Sequence, residues 1–293
     1  MIGMPGYVVV LPVKRLALAK SRLAPGLSEQ AHRRLALCLA LDTASAVVGS
    51  AGPAGSAGSV LSVLAVTDDA DAAAALSRIG VATVPDVPDA GLNPALAHGA
   101  EVALARHPDA SVALLAADLP ALLPTELSAA LTAATRHPRA FLADRNGTGT
   151  TLLCAQPGVP ARPEFGRDSR RAHLASGAVE LHGPWPTLRG DVDTLADLRR
   201  AAAGGLGHHL RELLADLSRH GQDLLGSHAG LQATVSRYDE DRQTGTALLD
   251  DGTRVSFSTA AAHAGGWRFL RAGQRISLTI GPDGGVLRVG RPV

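Results

Sequence analysis

The sequence predicts an α/β fold with a mostly parallel central sheet flanked by helices, followed by a small all-β barrel. First, short apolar runs alternate with segments of helical periodicity up to about residue 207, as in strands joined by crossover helices. Second, the runs at 60–66 and 111–116 are apolar throughout, which is typical of strands buried on both faces. Third, short alternating strands separated by glycine-rich turns replace this pattern from residue 231 onward.

These patterns divide the chain into an α/β domain at 1–207, a linker helix at 208–230 and a barrel domain at 231–293. A chain of 293 residues is long enough for one large domain and one small one. The linker helix is indicated by leucines that recur on one helical face, namely Leu210, Leu213, Leu214 and Leu217.

Composition excludes several classes of function. A formal net charge of +1 argues against broad binding of polyanions, so any preference for anions must come from local clusters. Cys38 and Cys154 lack neighbours at metal-ligand spacing and are expected to be buried, reduced thiols of a cytoplasmic protein. The first apolar run is too short for a signal peptide, and none reaches the roughly 18 residues that a membrane span needs.

The elements of the first half follow from local signals. The apolar run at 7–10 predicts the first strand, and Ser28 is expected to cap a helix that has Glu29 in its first turn. The strand at 60–66 ends in Thr67-Asp68-Asp69. After it, the pattern predicts a helix at 70–79, a short strand at 81–84, a helix from Leu92 and Asn93 to residue 106, and the strand at 111–116.

The second half begins with a hairpin. Strand-like segments at 140–143 and 150–155 flank a turn that contains Asn146-Gly147, a strong turn signal. A short helix is expected after Ser169, a strand-like segment at 188–194 and a helix at 195–203. The barrel strands are expected at 233–236, 253–258, 275–280 and 286–289.

A basic loop at 11–24 follows the first strand. It contains Lys14, Arg15, Lys20 and Arg22, and its two lysines are the only ones in the chain. A basic loop at the carboxyl end of the first strand of an α/β sheet predicts a phosphate site at the sheet's crevice. The alternative is a solvated basic loop without a ligand.

Three carboxylates predict a site for a hard cation. Asp118 lies just past the end of a central strand, and Asp191 and Asp193 would share one face of the strand-like segment. Together they suit Mg²⁺ and the phosphates that it bridges. The alternative for Asp193, with Thr194, is a cap on the following helix. Gly166 and Ser169 are expected to offer an amide and a hydroxyl to a phosphate or carboxylate.

A series of motifs, in order, resembles the guanylyltransferase of coenzyme F420 biosynthesis. The motifs are PVKRLALAKSRLA, DTASAVV, VTDD, GLNPALAHG, AADLPAL, DRNGTGTTLL, FGRDSRRAH and DVDT, and the resemblance covers residues 8 to 207. It implies a MobA-like nucleotidyltransferase fold and transfer of the guanylyl group of GTP to phosphoenolpyruvate or 2-phospho-L-lactate, with release of pyrophosphate. The bacterial members favour phosphoenolpyruvate.

The resemblance also implies roles for individual residues. Asp118, Asp191 and Asp193 would hold Mg²⁺, while Thr151, Gly166 and Ser169 would bind the phosphorylated three-carbon acid. The nucleotide would be bound by Leu11, Lys14, Lys20, Arg22, Asp68 and Asn93. Among these, Lys20 and Arg22 would be catalytic, because they stabilise charge on the triphosphate.

The tail resembles a cold-shock-type OB barrel. Such domains stack bases on clustered aromatic side chains, but the corresponding stretch here reads Gly245-Thr246-Ala247-Leu248, and only Tyr238 and Phe257 are in place. A structural or interaction role is therefore expected, without nucleic acid as a partner. The alternative functions are nucleotidyl transfer to a molybdopterin or sugar phosphate, and a nucleotide-binding regulator that engages RNA through its barrel.

Overall fold

The computed structural model describes residues 6–16, 23, 27–52, 56, 58–87, 89–219, 224, 228–242, 244–250, 252–267, 269–280 and 285–291. It divides into two compact units. The first comprises residues 1–197 and 204–216, and the second comprises residues 198–203 and 217–293. Among the described helices, none is both long and apolar enough to cross a membrane.

The first unit is built on a seven-stranded sheet in the order β3-β2-β1-β4-β6-β5-β7. Its strands are β1 (Tyr7–Pro12), β2 (Val60–Val66), β3 (Ala82–Val84), β4 (Ser111–Leu115), β5 (Arg139–Ala143), β6 (Thr150–Ala155) and β7 (Val179–Glu180). β6 pairs antiparallel with both β4 and β5, whereas the other neighbouring pairs are parallel. The predicted mostly parallel sheet is therefore confirmed.

Helices cover both faces of this sheet, with α1 (Glu29–Val48), α2 (Ala70–Arg78) and α4 (Pro124–Ala134) in one apolar cluster and α3 (Leu92–Arg106) in the other. Further along the chain are α5 (Ser169–Ala175), α6 (Leu195–Gly204) and α7 (His208–Arg219). Alternate residues of β1 enter two separate apolar clusters: Val9 joins residues of α1, α2 and α4, while Val10 joins residues of α3. This alternation explains why the strand is apolar throughout.

Capping side chains set where several helices begin. Ser28 caps α1 as predicted, its hydroxyl accepting a hydrogen bond from the Ala31 amide at 3.2 Å. Asp42, buried in the middle of α1, accepts from the backbone amides of His209 and Leu210, each at 2.9 Å. The start of α7 is thus fastened to α1 by a side chain distant in sequence.

The structure corrects the prediction for residues 188–194. They form turns and irregular chain rather than a strand, although Val192 is fully buried and donates a backbone hydrogen bond to Asp118 at 3.0 Å. α4 was not predicted, because its alanine-rich sequence carries little periodic contrast between apolar and polar positions.

The second unit contains a curled antiparallel sheet in the order β10-β9-β8-β11-β12. Its elements are β8 (His228–Asp239), β9 (Thr244–Leu249), β10 (Arg254–Phe257), α8 (Thr259–Ala264), β11 (Arg275–Ile280) and β12 (Val286–Gly290). β10 and β12, at the two ends of this order, approach each other. The four expected strands are present, whereas β9 and α8 were not predicted.

The two aromatic side chains singled out in the tail stack on each other. The ring centroids of Tyr238 and Phe257 are 6.2 Å apart, with an interplanar angle of 21°. Phe257 is 3% exposed and belongs to the apolar core of the second unit, so its ring is not presented to solvent.

Candidate active site

A pocket opens at the carboxyl ends of β1, β2 and β3, where the parallel strands bring their following loops together. Its volume is about 150 Å³. The lining residues come from these strand ends and the start of α3: Pro12, Val13, Lys14, Arg15, Val66, Asp68, Asp86, Asp89, Gly91, Leu92 and Ala95. This is where ligands bind in open α/β sheets.

The pocket combines cations and carboxylates. Arg15 forms ion pairs with Asp68 and Asp89, each at 3.4 Å. Asp68 also accepts a hydrogen bond from the Asp86 amide at 2.9 Å. Carboxylate oxygens of Asp68, Asp86 and Asp89 lie within 4.8 Å of one another. We call Asp68, Asp86 and Asp89 together the acidic loop; two of its carboxylates pair with the Arg15 guanidinium, and Lys14 is exposed in the same pocket.

Asp69 holds the beginning of the basic loop. Its carboxylate accepts hydrogen bonds from the backbone amides of Leu16, Asp71 and Ala72 at 3.0 to 3.1 Å, and it caps α2. Burial opposes ionisation of this carboxyl, but the amide donors and the Arg33 charge outweigh burial and lower its pKa. An ionised Asp69 thus fixes Leu16 against α2.

Of the residues predicted to bind the nucleotide, Lys14 and Asp68 line this pocket. Leu11 is fully buried in the core, one residue before the pocket lining begins. Lys20 and Arg22 lie outside the described residues, so their predicted catalytic role stays a prediction.

Asn93 makes contacts that the sequence did not indicate. Its side-chain amide donates to the Phe165 carbonyl at 2.9 Å, and its side-chain oxygen accepts from the Phe165 amide at 2.8 Å. Both ends of the side chain are therefore committed to the segment 164–169. The first turn of α3 links the pocket to that segment.

The predicted metal ligands lie at the end of β4. The backbone bond from Val192 to Asp118 places the segment that carries Asp191 and Asp193 beside Asp118. Asp118 and Asp191 are half-buried and Asp193 is exposed. Their carboxylate oxygens are not gathered as closely as those of the acidic loop in the part of the chain that the structure describes.

Thr194 begins α6 with reciprocal capping bonds. The Thr194 amide and hydroxyl donate to the Asp197 carboxylate at 2.9 and 2.7 Å, and the Asp197 amide donates to the Thr194 hydroxyl at 3.2 Å. This is a capping box. The capping function considered as the alternative for Asp193 is thus performed by Thr194.

The predicted hairpin is confirmed by the pairing of β5 with β6. In its turn, the Asp144 carboxylate accepts from the Thr148 amide at 2.9 Å, and its carbonyl accepts from the Gly147 amide at 3.2 Å. A Cβ on Gly149 would lie 2.6 Å from the Asp144 carboxylate, so glycine is required there. Immediately after the turn, Thr151 is 1% exposed, and its hydroxyl has no hydrogen-bond partner among the residues that the structure describes.

The segment 164–169 lies against the start of β6. Gly166 has φ of +128°, a conformation that favours glycine. Ser169 is 1% exposed, and its hydroxyl donates to the Thr150 hydroxyl at 3.1 Å. The structure therefore brings Ser169 next to the residue that precedes Thr151, so these two predicted acceptor ligands belong to one local cluster.

His173 was missed by the sequence analysis. It is fully buried, with Nε2 3.0 Å from the Glu164 amide and Nδ1 3.0 Å from the Thr150 hydroxyl. Burial and the nearby Arg139 charge lower its pKa to about 4, against a smaller opposing effect of the Ser169 backbone. Its position four residues after Ser169, on the same face of α5, was the available signal.

Three arginines near this cluster bind backbone carbonyls. Buried Arg139 donates to the carbonyls of Ala161 and Ser176, each at 3.0 Å, and so fixes the chain on both sides of the segment 164–169. Arg145 donates to the Pro186 carbonyl at 3.4 Å, and Arg189 donates to the Ala143 carbonyl at 2.9 Å. These contacts give the three side chains structural tasks.

Comparison with known proteins agrees with this architecture. The model of the family described as guanylyl transferase, CofC-like, matches residues 7–176. The chain is 53% identical over 203 residues to phosphoenolpyruvate guanylyltransferase of Salinispora arenicola (strain CNS-205), covering 69% of this chain and 90% of that protein. It is 49% identical over 217 residues to phosphoenolpyruvate guanylyltransferase of Streptomyces coelicolor, covering 74% and 99%.

Among solved structures, the fold is similar to that of a candidate nucleotide-diphospho-sugar transferase from Desulfovibrio desulfuricans G20. The TM-score is 0.53 at 16% identity, over 73% of this chain and 95% of that one. At this identity the likeness shows the nucleotidyltransferase fold alone. The family model spans both the pocket and the segment 164–169. Together with these relatives, it shows that the chain belongs to the family of CofC-like guanylyl transferases.

Proposed function

We propose that this chain transfers the guanylyl group of GTP to phosphoenolpyruvate and releases pyrophosphate, as a step in making coenzyme F420. The observation that carries this proposal is 53% identity to a phosphoenolpyruvate guanylyltransferase over 90% of that protein's length. The arrangement of the site supports it, since a pocket with basic residues and a hydroxyl-lined cluster are linked through Asn93.

The nucleotide is bound at the carboxyl ends of β1 to β3. Lys14 and Asp68 line the pocket there, Leu11 supports its floor, and Asn93 holds the adjoining segment. Lys20 and Arg22 neutralise the triphosphate. Positioned cations stabilise the charge that develops on the leaving pyrophosphate without reorganising during the reaction.

The phosphorylated acid is bound by Thr151, Gly166 and Ser169. The buried, unpartnered hydroxyl of Thr151 supports this assignment, because burying a polar group without a partner costs about 1 to 3 kcal/mol. A bound carboxylate or phosphate supplies the missing partner. Gly166 lets the chain bend at positive φ beside it.

Mg²⁺ is held by Asp118, Asp191 and Asp193. The donor set fits this ion, since carboxylate oxygens are the ligands of hard cations, and the backbone bond between Val192 and Asp118 joins the two segments that carry them. The capping of α6 by Thr194 is consistent with a ligand role for Asp193. When bound, Mg²⁺ supplies neutralisation of phosphate charge.

Transfer needs no general base. The phosphate oxygen of the acceptor is already ionised at neutral pH, so it forms the new bond to the α-phosphorus while the bond to the bridging oxygen breaks and pyrophosphate departs. His173 is not a base here, because both of its ring nitrogens are engaged by Glu164 and Thr150. The chain contributes by orienting the two substrates and by supplying positive charge.

The decisive experiment incubates the purified protein with GTP, Mg²⁺ and either phosphoenolpyruvate or 2-phospho-L-lactate, and measures pyrophosphate. We expect release with phosphoenolpyruvate at the higher kcat/KM. Release with 2-phospho-L-lactate alone would reassign the acceptor. Absence of release with both acids would refute guanylyl transfer to this class of substrate.

We further propose that the second unit is an OB-like domain with a structural or interaction role. The pairing of β8 with both β9 and β11, and the place of α8 between β10 and β11, support this assignment. For the whole chain we propose an α/β domain at 1–207, a linker helix at 208–230 and a barrel domain at 231–293. Salt-sensitive RNA binding that disappears on removal of residues 231–293 would contradict the absence of nucleic acid among its partners.

A further inference from the structure

The ring of His173 lies beneath the acceptor segment 164–169 and contacts both of its ends. At the amino end, the Glu164 amide is 3.0 Å from Nε2. At the other end, Nδ1 is 3.0 Å from the Thr150 hydroxyl, which accepts a hydrogen bond from Ser169. One imidazole therefore holds Glu164, at the start of the segment, directly, and Ser169, at its end, through the Thr150 hydroxyl.

These partners determine the tautomer of the ring. A backbone amide can only donate, so Nε2 must be an unprotonated acceptor. A neutral imidazole then carries its proton on Nδ1 and donates it toward the Thr150 hydroxyl. Protonation of Nε2 would set two donors against each other at Glu164, so the observed contacts exist only with a neutral ring.

Packing holds the ring in this orientation. The centroids of Phe141 and Phe165 are each 5.4 Å from that of His173, and Phe165 meets the imidazole edge-on at 79°. Phe165 belongs to the acceptor segment and is bound on its backbone by Asn93. The segment is therefore clamped between α3 and α5, with His173 as the clamp on the α5 side.

We propose that His173 is a positioning residue for the acceptor, holding Glu164 to Ser169 so that the Ser169 hydroxyl and the Gly166 backbone face the phosphorylated acid. This inference rests on the proposed function. Within the described part of the chain, the hydrogen-bond and ring partners of His173 do not line the nucleotide pocket. Its loss therefore weakens binding of the acceptor while leaving that of GTP unchanged.

Amide substitutions separate the two bonds of the ring. His173→Gln places an acceptor near the Nε2 position and keeps the Glu164 bond, whereas His173→Asn places a donor near the Nδ1 position and keeps the Thr150 bond. His173→Phe fills the space and removes both. Thr150→Val breaks the connection to Ser169 without altering the ring, and Thr150→Ser restores it.

Steady-state kinetics with GTP and phosphoenolpyruvate provide the test. We expect the KM for phosphoenolpyruvate to rise about five- to tenfold when one bond is lost and further in His173→Phe, with the KM for GTP within about twofold of wild type. His137→Gln, which alters a histidine in the turn after α4, serves as the matched control. Absence of turnover by the wild type would refute the proposed function instead.

Ring-nitrogen NMR of the labelled protein gives a second measurement that does not depend on turnover. We expect His173 to be an Nδ1–H tautomer and neutral at pH 6. A protonated ring at that pH, equal rises in both KM values, or an unchanged KM for phosphoenolpyruvate in a folded His173→Phe would overturn the proposal. If that variant does not fold, Thr150→Val against Thr150→Ser decides in the same way.

Discussion

At the scale of single residues, the acceptor side is made from groups that are costly to bury. Thr151, Ser169 and His173 are all at most 1% exposed, yet each carries polar atoms. Ser169 and His173 satisfy each other through Thr150, while the Thr151 hydroxyl has no partner. Residue-level variants can therefore separate hydroxyls that are bonded within the fold, such as those of Thr150 and Ser169, from the unbonded hydroxyl of Thr151.

Thr151→Val tests this distinction, because it replaces the unpartnered hydroxyl by a methyl group of similar size. We expect the KM for phosphoenolpyruvate to rise about tenfold and the free energy of unfolding to increase by about 1 kcal/mol, since the cost of an unsatisfied buried hydroxyl is removed. Kinetics and urea unfolding measure the two effects. Thr150→Val, which breaks existing bonds, should instead lower stability.

Asp191→Ala tests the metal assignment. We expect turnover to be abolished with the melting temperature within a few degrees of wild type, since the change removes a ligand rather than core packing. Asp197→Ala is the matched control, because it breaks the capping box of α6 and should cost about 1 kcal/mol of stability while activity persists. Full activity in Asp191→Ala would refute the assignment.

The acid sensitivity of the fold should depend on His173. Its pKa is lowered from 6.5 to about 4 by burial and by Arg139, so the unfolded chain binds one more proton between these values. Stability is then complete above pH 6.5 and falls as pH decreases toward 4, by about 3 kcal/mol in total. Urea unfolding of His173→Gln should show a smaller decrease in the free energy of unfolding between pH 6.5 and 4 than the wild type does. An identical decrease would contradict the assignment of this acid sensitivity to His173.

At the scale of elements, the long-range cap on α7 has a measurable consequence. Asp42 of α1 supplies both carboxylate oxygens to the first amides of α7. Asp42→Ala leaves these buried donors without partners and should lower the free energy of unfolding by about 1 to 2 kcal/mol. Chemical unfolding measures this change. Thr43→Val, at the next position, breaks the hydrogen bond from the Leu119 amide. Its effect on the free energy of unfolding can be compared with that of Asp42→Ala.

Elements with strong local signals were predictable. The Ser28 cap, the apolar run of β2 and the Asn146-Gly147 turn each determine structure within a few residues, and the structure has α1, β2 and the hairpin where they were expected. The segment 188–194 was misread, because alternating carboxylates resemble a strand when no pairing partner can be seen. Its conformation is held instead by long-range hydrogen bonds, among them the backbone bonds from Val192 to Asp118 and from Arg145 to Arg189.

The candidate site was predictable only where its chemistry lies in the side chains of a motif. Asp68 and Lys14 line the pocket that the basic loop indicated. Asn93 binds the Phe165 amide, 72 residues away, and His173 binds the Glu164 amide across an irregular segment, and periodicity contains no information about such partners. The sheet order must be known before Asn93 and His173 can be placed next to their backbone partners.

At the scale of the whole molecule, the α/β architecture and the β-rich tail follow from the patterning of the chain, and the sheet order and family match confirm the nucleotidyltransferase class. The reversal of one strand did not follow from a mostly parallel pattern alone. It required recognising that a hairpin, rather than a crossover helix, joins β5 to β6.

The antiparallel direction of β6 brings its first residues to the edge of the sheet that carries Asp118. β6 starts at the edge where its antiparallel neighbours β4 and β5 end, and the Thr151 carbonyl accepts a hydrogen bond from the Ala116 amide, two residues before Asp118. Thr151 and Asp118 are thus neighbours, although Thr151 lies at the start of β6 and Asp118 follows the end of β4. Under the proposed function, the register of β6 therefore decides the polarity of the group offered to the acid, since a one-residue slip that puts Leu152 at this position would present a hydrocarbon instead of the Thr151 hydroxyl.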